Sequence, residues 1–325
     1  MELSIVTTLY LSAPYLREFY TRACAVAEKI TDSFEIVLVN DGSPDNSLEI
    51  ARSLFEADSR VRVVDLSRNF GHHKAMMTGL HHAQGDLVFL IDSDLEEEPE
   101  YLATFYEKLI TSGADVVYGV QQKRKGKAFE RVSGSLYFKV FNLFSAYPIP
   151  PNHLTARLMT RSYVNALARH QESEFVMSAL WALTGFEQVP LVVRKHHKAV
   201  SSYGLRRKFN HLVNAVTSSS DKPLVLIFYL GCVILLLASI GALHLIIRKL
   251  FFGVPLEGWA SLIVSLWLLG GITVFCLGVI GIYLAKIFNE VKRRPYTIVK
   301  QVFEATSSIP GRVPLPMGAN KGNQQ

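Results

Sequence analysis

The chain has 325 residues, 49% of them hydrophobic and 19% charged, which is ample for a sizeable core and argues against a disordered polymer. Its formal charge of +6 hides a split: residues 1–119 hold 9 Lys and Arg against 20 Asp and Glu, whereas 120–325 hold 25 against 8. An acidic first part with no nucleic-acid motif argues against a nucleic-acid partner, and the basic remainder is left to face phosphates or an anionic membrane surface.

The opening MELSIVTTLY has no basic stretch and no long apolar run, so it does not read as a secretion signal, and the first module is expected to stay cytoplasmic. Short β-branched runs then alternate with amphipathic stretches: LSIVTTLY then 13–30, FEIVLVN then 44–58, VRVVDL then 71–84, DLVFLID then 98–111, and ADVVYGV. This order predicts an α/β domain, Rossmann-like, with a mostly parallel sheet covered on both faces. Ligands of such sheets gather at the carboxyl ends of the strands. Asp41 in VNDGSPD and Asp92 and Asp94 in IDSD fall at such ends, along one rim.

At 87–91 five apolar residues run straight into six carboxylates within 92–100. Acidic residues and Pro99 suit the start of a helix. Yet two carboxylates at i and i+2 just past a strand end can also point into one cleft, a hard oxygen site suited to Mg2+ or Mn2+. Asp92 and Asp94 carry that reading, Glu96 falls between the two cases, and Glu97, Glu98 and Glu100 read as surface charge. The histidine pairs at 72–73, 81–82 and 196–197 do not read as a zinc site, because neighbours on a helix point about 100° apart. A surface position or core packing is the expected role of all six, with His196 or His197 the weaker candidates for a donor-phosphate or cation contact.

Residues 120–220 are less regular. After KRKGKAFER, apolar Val132, Leu136, Val140, Phe141 and Phe144 recur at helical spacing, for a helix around 129–147 that either packs on the sheet or lies among lipid headgroups. A juxtamembrane amphipathic segment follows at 201–222, ending the domain placed at 1–200. Stretches 224–247 and 260–287 are each longer than the roughly 20 apolar residues that span a bilayer and hold no acidic residue. With the short connector RKLFFGVPLEGW they predict a transmembrane hairpin over 223–288, and 289–325 reads as a C-terminal tail. Arg206, Arg207, Lys208 and Lys222 precede the first span and Lys292, Arg293, Arg294 and Lys300 follow the second, which places both ends in the cytoplasm, as in a bacterial inner membrane. Cys24, Cys232 and Cys276 lack any metal spacing, and no disulfide is expected.

Three blocks, VNDGSPDNS, LSRNFGHHKAMMTGLHHAQGDLVFLIDSDLEEEPE and EVKRRPY after the hairpin, resemble the family-2 glycosyltransferases that make polyisoprenyl-phosphate sugars, such as dolichol-phosphate mannose synthase and the bactoprenol glucosyltransferases. The resemblance implies a glycosyltransferase A-type fold, a nucleotide-sugar donor, a divalent cation (Mg2+ or Mn2+), a polyisoprenyl phosphate acceptor and a lipid bilayer as partner; it leaves a homo-oligomer open. Carried over by position, it implies that Asp41 holds the nucleotide base, with Thr8 and Tyr10 lining the same pocket and Arg68, Asn69 and Gly71 forming the loop beside it. Asp92 and Asp94 match the metal motif, Asp92 also facing the nucleotide, and Glu96 completes the metal shell. Arg131 and Ser135 match the region that meets the acceptor phosphate, and Arg131 and Arg157, with Arg194 behind them, are the guanidinium groups offered to it.

Two departures stand out. LTARL puts Thr155 where relatives have an Asp and keeps Arg157, and AVSSY puts Ser202 where they have a Lys and keeps Tyr203. A phosphate monoester, with a second pKa of about 6, is already an anionic nucleophile near neutrality, so a single displacement needs no strong base. Two other readings stay open: a membrane-tethered glycosyltransferase acting on another glycan or lipid, and a degenerate homologue that binds a nucleotide sugar without turnover. A processive synthase is disfavoured by the lack of a Gln-x-x-Arg-Trp motif and by the single hairpin.

Overall fold

The computed structural model describes residues 2–121, 143, 152–172, 174–194, 213, 217, 221–252 and 258–305. These fall into two compact units, one holding 2–121, 152–172, 174–194 and 294–305, the other the two long apolar helices.

Among the described residues the first unit is built on an eight-stranded mixed sheet. Its strands are β1 (Leu3–Leu9), β2 (Phe34–Asn40), β3 (Val61–Leu66), β4 (Leu87–Leu90), β5 (Val116–Gln121), β6 (His153–Thr160), β7 (Gln188–Val193) and β8 (Val299–Phe303), in spatial order β7-β5-β6-β4-β1-β2-β3-β8. Strands β4, β1, β2 and β3 run parallel, with Leu9 opposite Asn40 and Asn40 opposite Asp65, so their carboxyl ends share one rim. Every residue of β1 and β2 is buried, as expected of parallel strands covered on both faces.

Alternation along the strands feeds two cores. Ile5, Ile36, Leu38 and Phe89 face helices α1 (Leu16–Ala27), α2 (Ser47–Ala57) and α4 (Tyr101–Ser112), which contribute Phe19, Leu54 and Phe105. Val6, Val37, Val39 and Leu90 face α3 (His72–His82), α5 (Arg161–Leu167) and α6 (Met177–Leu183), which contribute Met76, Tyr163 and Leu180.

Three strands depart from the sequence expectation, among them β7, which pairs parallel with β5 at the sheet edge. β6 runs antiparallel between β4 and β5, so ADVVYGV does not extend the parallel run directly. β8 pairs antiparallel with β3, within the stretch read as a tail. Side chains fasten it there: Thr297 Oγ1 lies 2.8 Å from Thr78 Oγ1, Tyr296 stacks on His81 and meets Phe175 edge-on, and Phe303 packs on Phe55. Burial pushes the His81 imidazole below its usual pKa, in keeping with a ring packed under Tyr296.

In the second unit, α7 (Lys222–Phe252) and α8 (Trp259–Val291) include windows with mean hydropathies of 2.7 and 2.3, long and apolar enough to cross a membrane. At 31 and 33 residues and about 1.5 Å per residue, each exceeds the roughly 30 Å hydrocarbon thickness. Their apolar side chains are exposed, Trp267 by 78% and Val274 by 71%, a surface that water does not favour and lipid does. The helix expected around 129–147 and the juxtamembrane segment lie almost wholly outside the described residues.

Candidate active site

The site grows from the loops that leave the rim. At the end of β2, Asp41 is 2% exposed, and its two carboxylate oxygens accept the backbone N–H groups of Phe70 (2.7 Å) and Gly71 (3.0 Å). Burial pushes this carboxyl above the ordinary range, against the pull of those two amides and of the His72 and Arg68 charges. Gly42 follows in the left-handed region at φ 59°, where a Cβ would sit 2.5 Å from the Asn69 nitrogen and 2.6 Å from the Arg68 carbonyl carbon. The loop after β3 thus lies directly against the turn after β2, and only glycine leaves it room. Arg68 is exposed above it, its guanidinium over the Phe70 ring and donating to the Asn69 carbonyl at 3.1 Å.

Gly71 has φ 101° and ψ 145° and turns this loop into α3, whose first residue is His72. The imidazole Nε2 is 3.3 Å from Asp92 Oδ1, and Nδ1 is 3.0 Å from the Thr8 hydroxyl. Burial acts to lower the His72 pKa, but the bond to Asp92 and the charges of Asp92, Asp41 and Asp94 outweigh it, and the net shift is upward. From sequence, His72 has no role beyond a surface or packing position; the structure sets it between two residues singled out for the nucleotide. Its signal was position, directly after the glycine that opens a helix at the rim, not its pairing with His73.

The Asp-x-Asp turn is anchored at its middle. Ser93 is 3% exposed and its hydroxyl contacts the Thr8 carbonyl and the Ser12 hydroxyl, both at 2.9 Å. Asp94 Oδ1 accepts the Glu96 amide at 3.0 Å, and Leu95 between them takes φ 61°, a left-handed conformation that costs a leucine roughly 1–2 kcal/mol. Asp92, Asp94 and Glu96 are each half-buried at the rim. A second cluster holds the β1 loop: Asp45 accepts from the Ala13 amide (3.1 Å), the Ser43 hydroxyl (2.6 Å) and the Ser47 amide (3.1 Å), and Ser43 in turn accepts the Leu11 amide at 2.8 Å. Tyr10, 49% exposed, projects from this loop.

Asp41 thus holds Gly71, and His72, the next residue, bridges Thr8 and Asp92, with Arg68, Asn69, Asp94 and Glu96 on the same loops. Among the described residues no group of three or more carboxylates, histidines or cysteines converges enough to cage a metal ion. The acidic turn instead fits an ion that takes one or two carboxylates and completes its shell with phosphate and water, the habit of Mg2+. Its donors are all hard oxygens, which Mn2+ also accepts.

Two further sequence readings need correction. Glu97 is not surface charge: it is fully buried, and its Oε2 accepts the Ala156 amide of β6 at 2.7 Å, tying the acidic turn to that strand. Glu100 does lie at the surface, paired with Arg22 at 2.7 Å. Arg157 is not an open phosphate clamp. It is 2% exposed, with its guanidinium over the Trp181 ring and hydrogen bonds of 3.4 Å to the Leu154 and Thr155 carbonyls. Burial lowers its pKa to about 9, partly offset by Tyr163 and Glu97, so it stays cationic near neutrality. The reason is topological: β6 is inserted between β4 and β5, so its side chains lie inside the sheet layers. Arg194 is exposed, its backbone fastened to the Tyr101 hydroxyl. Arg131, Ser135, His196, His197, Ser202 and Tyr203 lie outside the described residues.

A mixed α/β sheet with an acidic turn at the rim of its parallel strands, beside a loop locked by a buried aspartate, defines a glycosyltransferase of the A-type fold. The chain belongs to the glycosyl transferase family 2, whose model matches residues 4–171. A protein of Mycobacterium tuberculosis described as "Putative glycosyltransferases" is 54% identical over 303 residues, covering 93% of this chain and 89% of that one. The SfII prophage-derived bactoprenol glucosyl transferase of Shigella flexneri is 32% identical over 307 residues, covering 93% and 98%. Among solved structures, the mannosyltransferase PcManGT from Pyrobaculum calidifontis aligns at a TM-score of 0.45 and 20% identity, covering 67% of this chain and 63% of that one, too loosely to bear on its ligands or chemistry.

Proposed function

We propose that this glycosyltransferase moves a sugar from a nucleotide-sugar donor to a polyisoprenyl phosphate at the cytoplasmic face of a membrane, by a single displacement assisted by Mg2+ or Mn2+. The observation that carries the reading is the Asp92–Asp94 turn fastened to the Asp41-ordered loop, in a chain that shares 32% identity across nearly its whole length with a bactoprenol glucosyl transferase.

In this reading Asp41 orders the Arg68–Asn69–Gly71 loop around the base, with Thr8 and Tyr10 lining the same pocket. Asp94 and Asp92, with Glu96 beside them, are the residues that would hold the cation, which would supply charge neutralisation for a nucleoside diphosphate leaving group. The lipid phosphate, already anionic, attacks the anomeric carbon; positioning rather than deprotonation is the protein's task. Arg131 and Ser135 are the proposed contacts to that phosphate, while buried Arg157 acts on it through charge alone. Basic residues flanking both apolar helices support an orientation with both ends in the cytoplasm.

Titration of the full-length protein in detergent with UDP-, GDP- and CDP-sugars, with and without Mn2+, tests the donor half. One of the three should bind about 10-fold or more tighter with Mn2+, and Asp94→Ala should erase that gain. Binding that ignores both Mn2+ and the substitution would overturn the cation reading.

A further inference from the structure

The contacts of His72 go further than the reading above requires. An ionised carboxylate can only accept hydrogen bonds, so the Nε2 that lies 3.3 Å from Asp92 Oδ1 carries the proton of that bond. In the neutral ring Nδ1 is then an acceptor, and the Thr8 hydroxyl 3.0 Å away donates to it. Thr8, His72 and Asp92 form an ordered relay in which the threonine fixes the ring's tautomer and plane, and the ring fixes the carboxylate. The threonine and the ring are both secured. Thr8 also receives the Ser93 hydroxyl on its carbonyl, and His72 follows the Gly71 amide that Asp41 holds at 3.0 Å.

We infer that His72 is a positioning residue, which orients the Asp92 carboxylate toward the cation and donor and makes the acidic turn preformed. The inference rests on the proposed cation role of the turn. An outer histidine or carboxylate that orients a ligand is commonly worth 10–100-fold in metal affinity. The imidazole side chain is 47% exposed, so replacing it leaves no buried cavity.

Glutamine and asparagine separate orientation from mere presence of a polar group. The amide nitrogen of glutamine reaches where Nε2 sits, whereas that of asparagine reaches only the Nδ1 position, next to Thr8. Mn2+ alone is titrated into the full-length protein in detergent micelles and free ion is read by electron paramagnetic resonance. The wild type and His72→Gln should bind within about 3-fold of each other, and His72→Asn and His72→Ala about 10-fold more weakly. Equal binding by all four, tighter binding by His72→Asn, or His72→Gln as weak as His72→Asn would each overturn the inference. Failure of the wild type to bind Mn2+ alone would overturn the preformed turn, whereas the cation reading on which it rests falls only if nucleotide-sugar binding also ignores Mn2+.

Discussion

Replacing Gly42 by alanine isolates the contact that builds the nucleotide side of the site. Gly42 and Gly113 share the left-handed backbone, at φ 59° and 68°, so alanine pays a similar conformational cost at both, about 1–2 kcal/mol. They differ in what a Cβ would meet. Gly113, at the end of α4, has nothing within 4 Å, whereas Gly42 faces backbone atoms of Asn69 and Arg68 at 2.5 and 2.6 Å. Restoring ordinary van der Waals separation pushes the 68–69 backbone away by about 1 Å. That displacement strains the Phe70 and Gly71 bonds to buried Asp41, and bonds to a charged acceptor contribute about 1.5–3 kcal/mol each. Losing one of them brings the total for Gly42→Ala to about 2.5–5 kcal/mol, against about 1–2 kcal/mol for Gly113→Ala. Urea unfolding followed by circular dichroism measures both. Hydrogen exchange of residues 68–73 should quicken only in Gly42→Ala. Equal destabilisation by the two substitutions, with unchanged exchange in that loop, would refute the claim that the turn after β2 and the loop after β3 are packed as one unit.

Asp45 predicts a pH dependence. Although burial acts to raise its pKa, hydrogen bonds from Ser43, Ser47 and Ala13 outweigh it and hold the carboxyl below the usual range. A depressed folded-state pKa stabilises fully above the unfolded value near about 4 and is lost as pH falls through the folded value. Stability should therefore drop on acidification below about pH 4, and Asp45→Asn should flatten that part of the curve; an unchanged slope contradicts the assignment. Tyr296→Ala removes the ring held between His81 and Phe175, so amide protection of 299–303 and of Ser67, which donates to the Ile298 carbonyl, should fall. Protection that persists would mean the strand needs no such anchor.

Much of the fold could be read from pattern. The β-branched runs from LSIVTTLY to ADVVYGV coincide with β1 to β5 because strands buried on both faces leave continuous apolar stretches. β6 escaped because HLTARLMT carries an arginine at its centre, and nothing local announces that a tryptophan two elements later will cover it. β8 escaped because VKQVF is short and polar on one side; its pairing depends on Tyr296 and Thr297 docking on α3, a contact across more than 200 residues. Asp41, Asp92 and Asp94 were legible as rim residues from their place at strand ends. His72 and Glu97 were not, since a doubled histidine and a run of three glutamates look like surface until the fold shows which member turns inward.

The central claim is tested most directly by following a labelled sugar from its nucleotide donor into the lipid phase, using purified full-length protein in detergent with Mn2+. The account predicts incorporation that appears only with added polyprenyl phosphate, yields an acid-labile, alkali-stable product, and disappears in Asp94→Ala while the far-UV spectrum stays that of the wild type. Incorporation that proceeds equally without the lipid phosphate, or undiminished in Asp94→Ala, would contradict it.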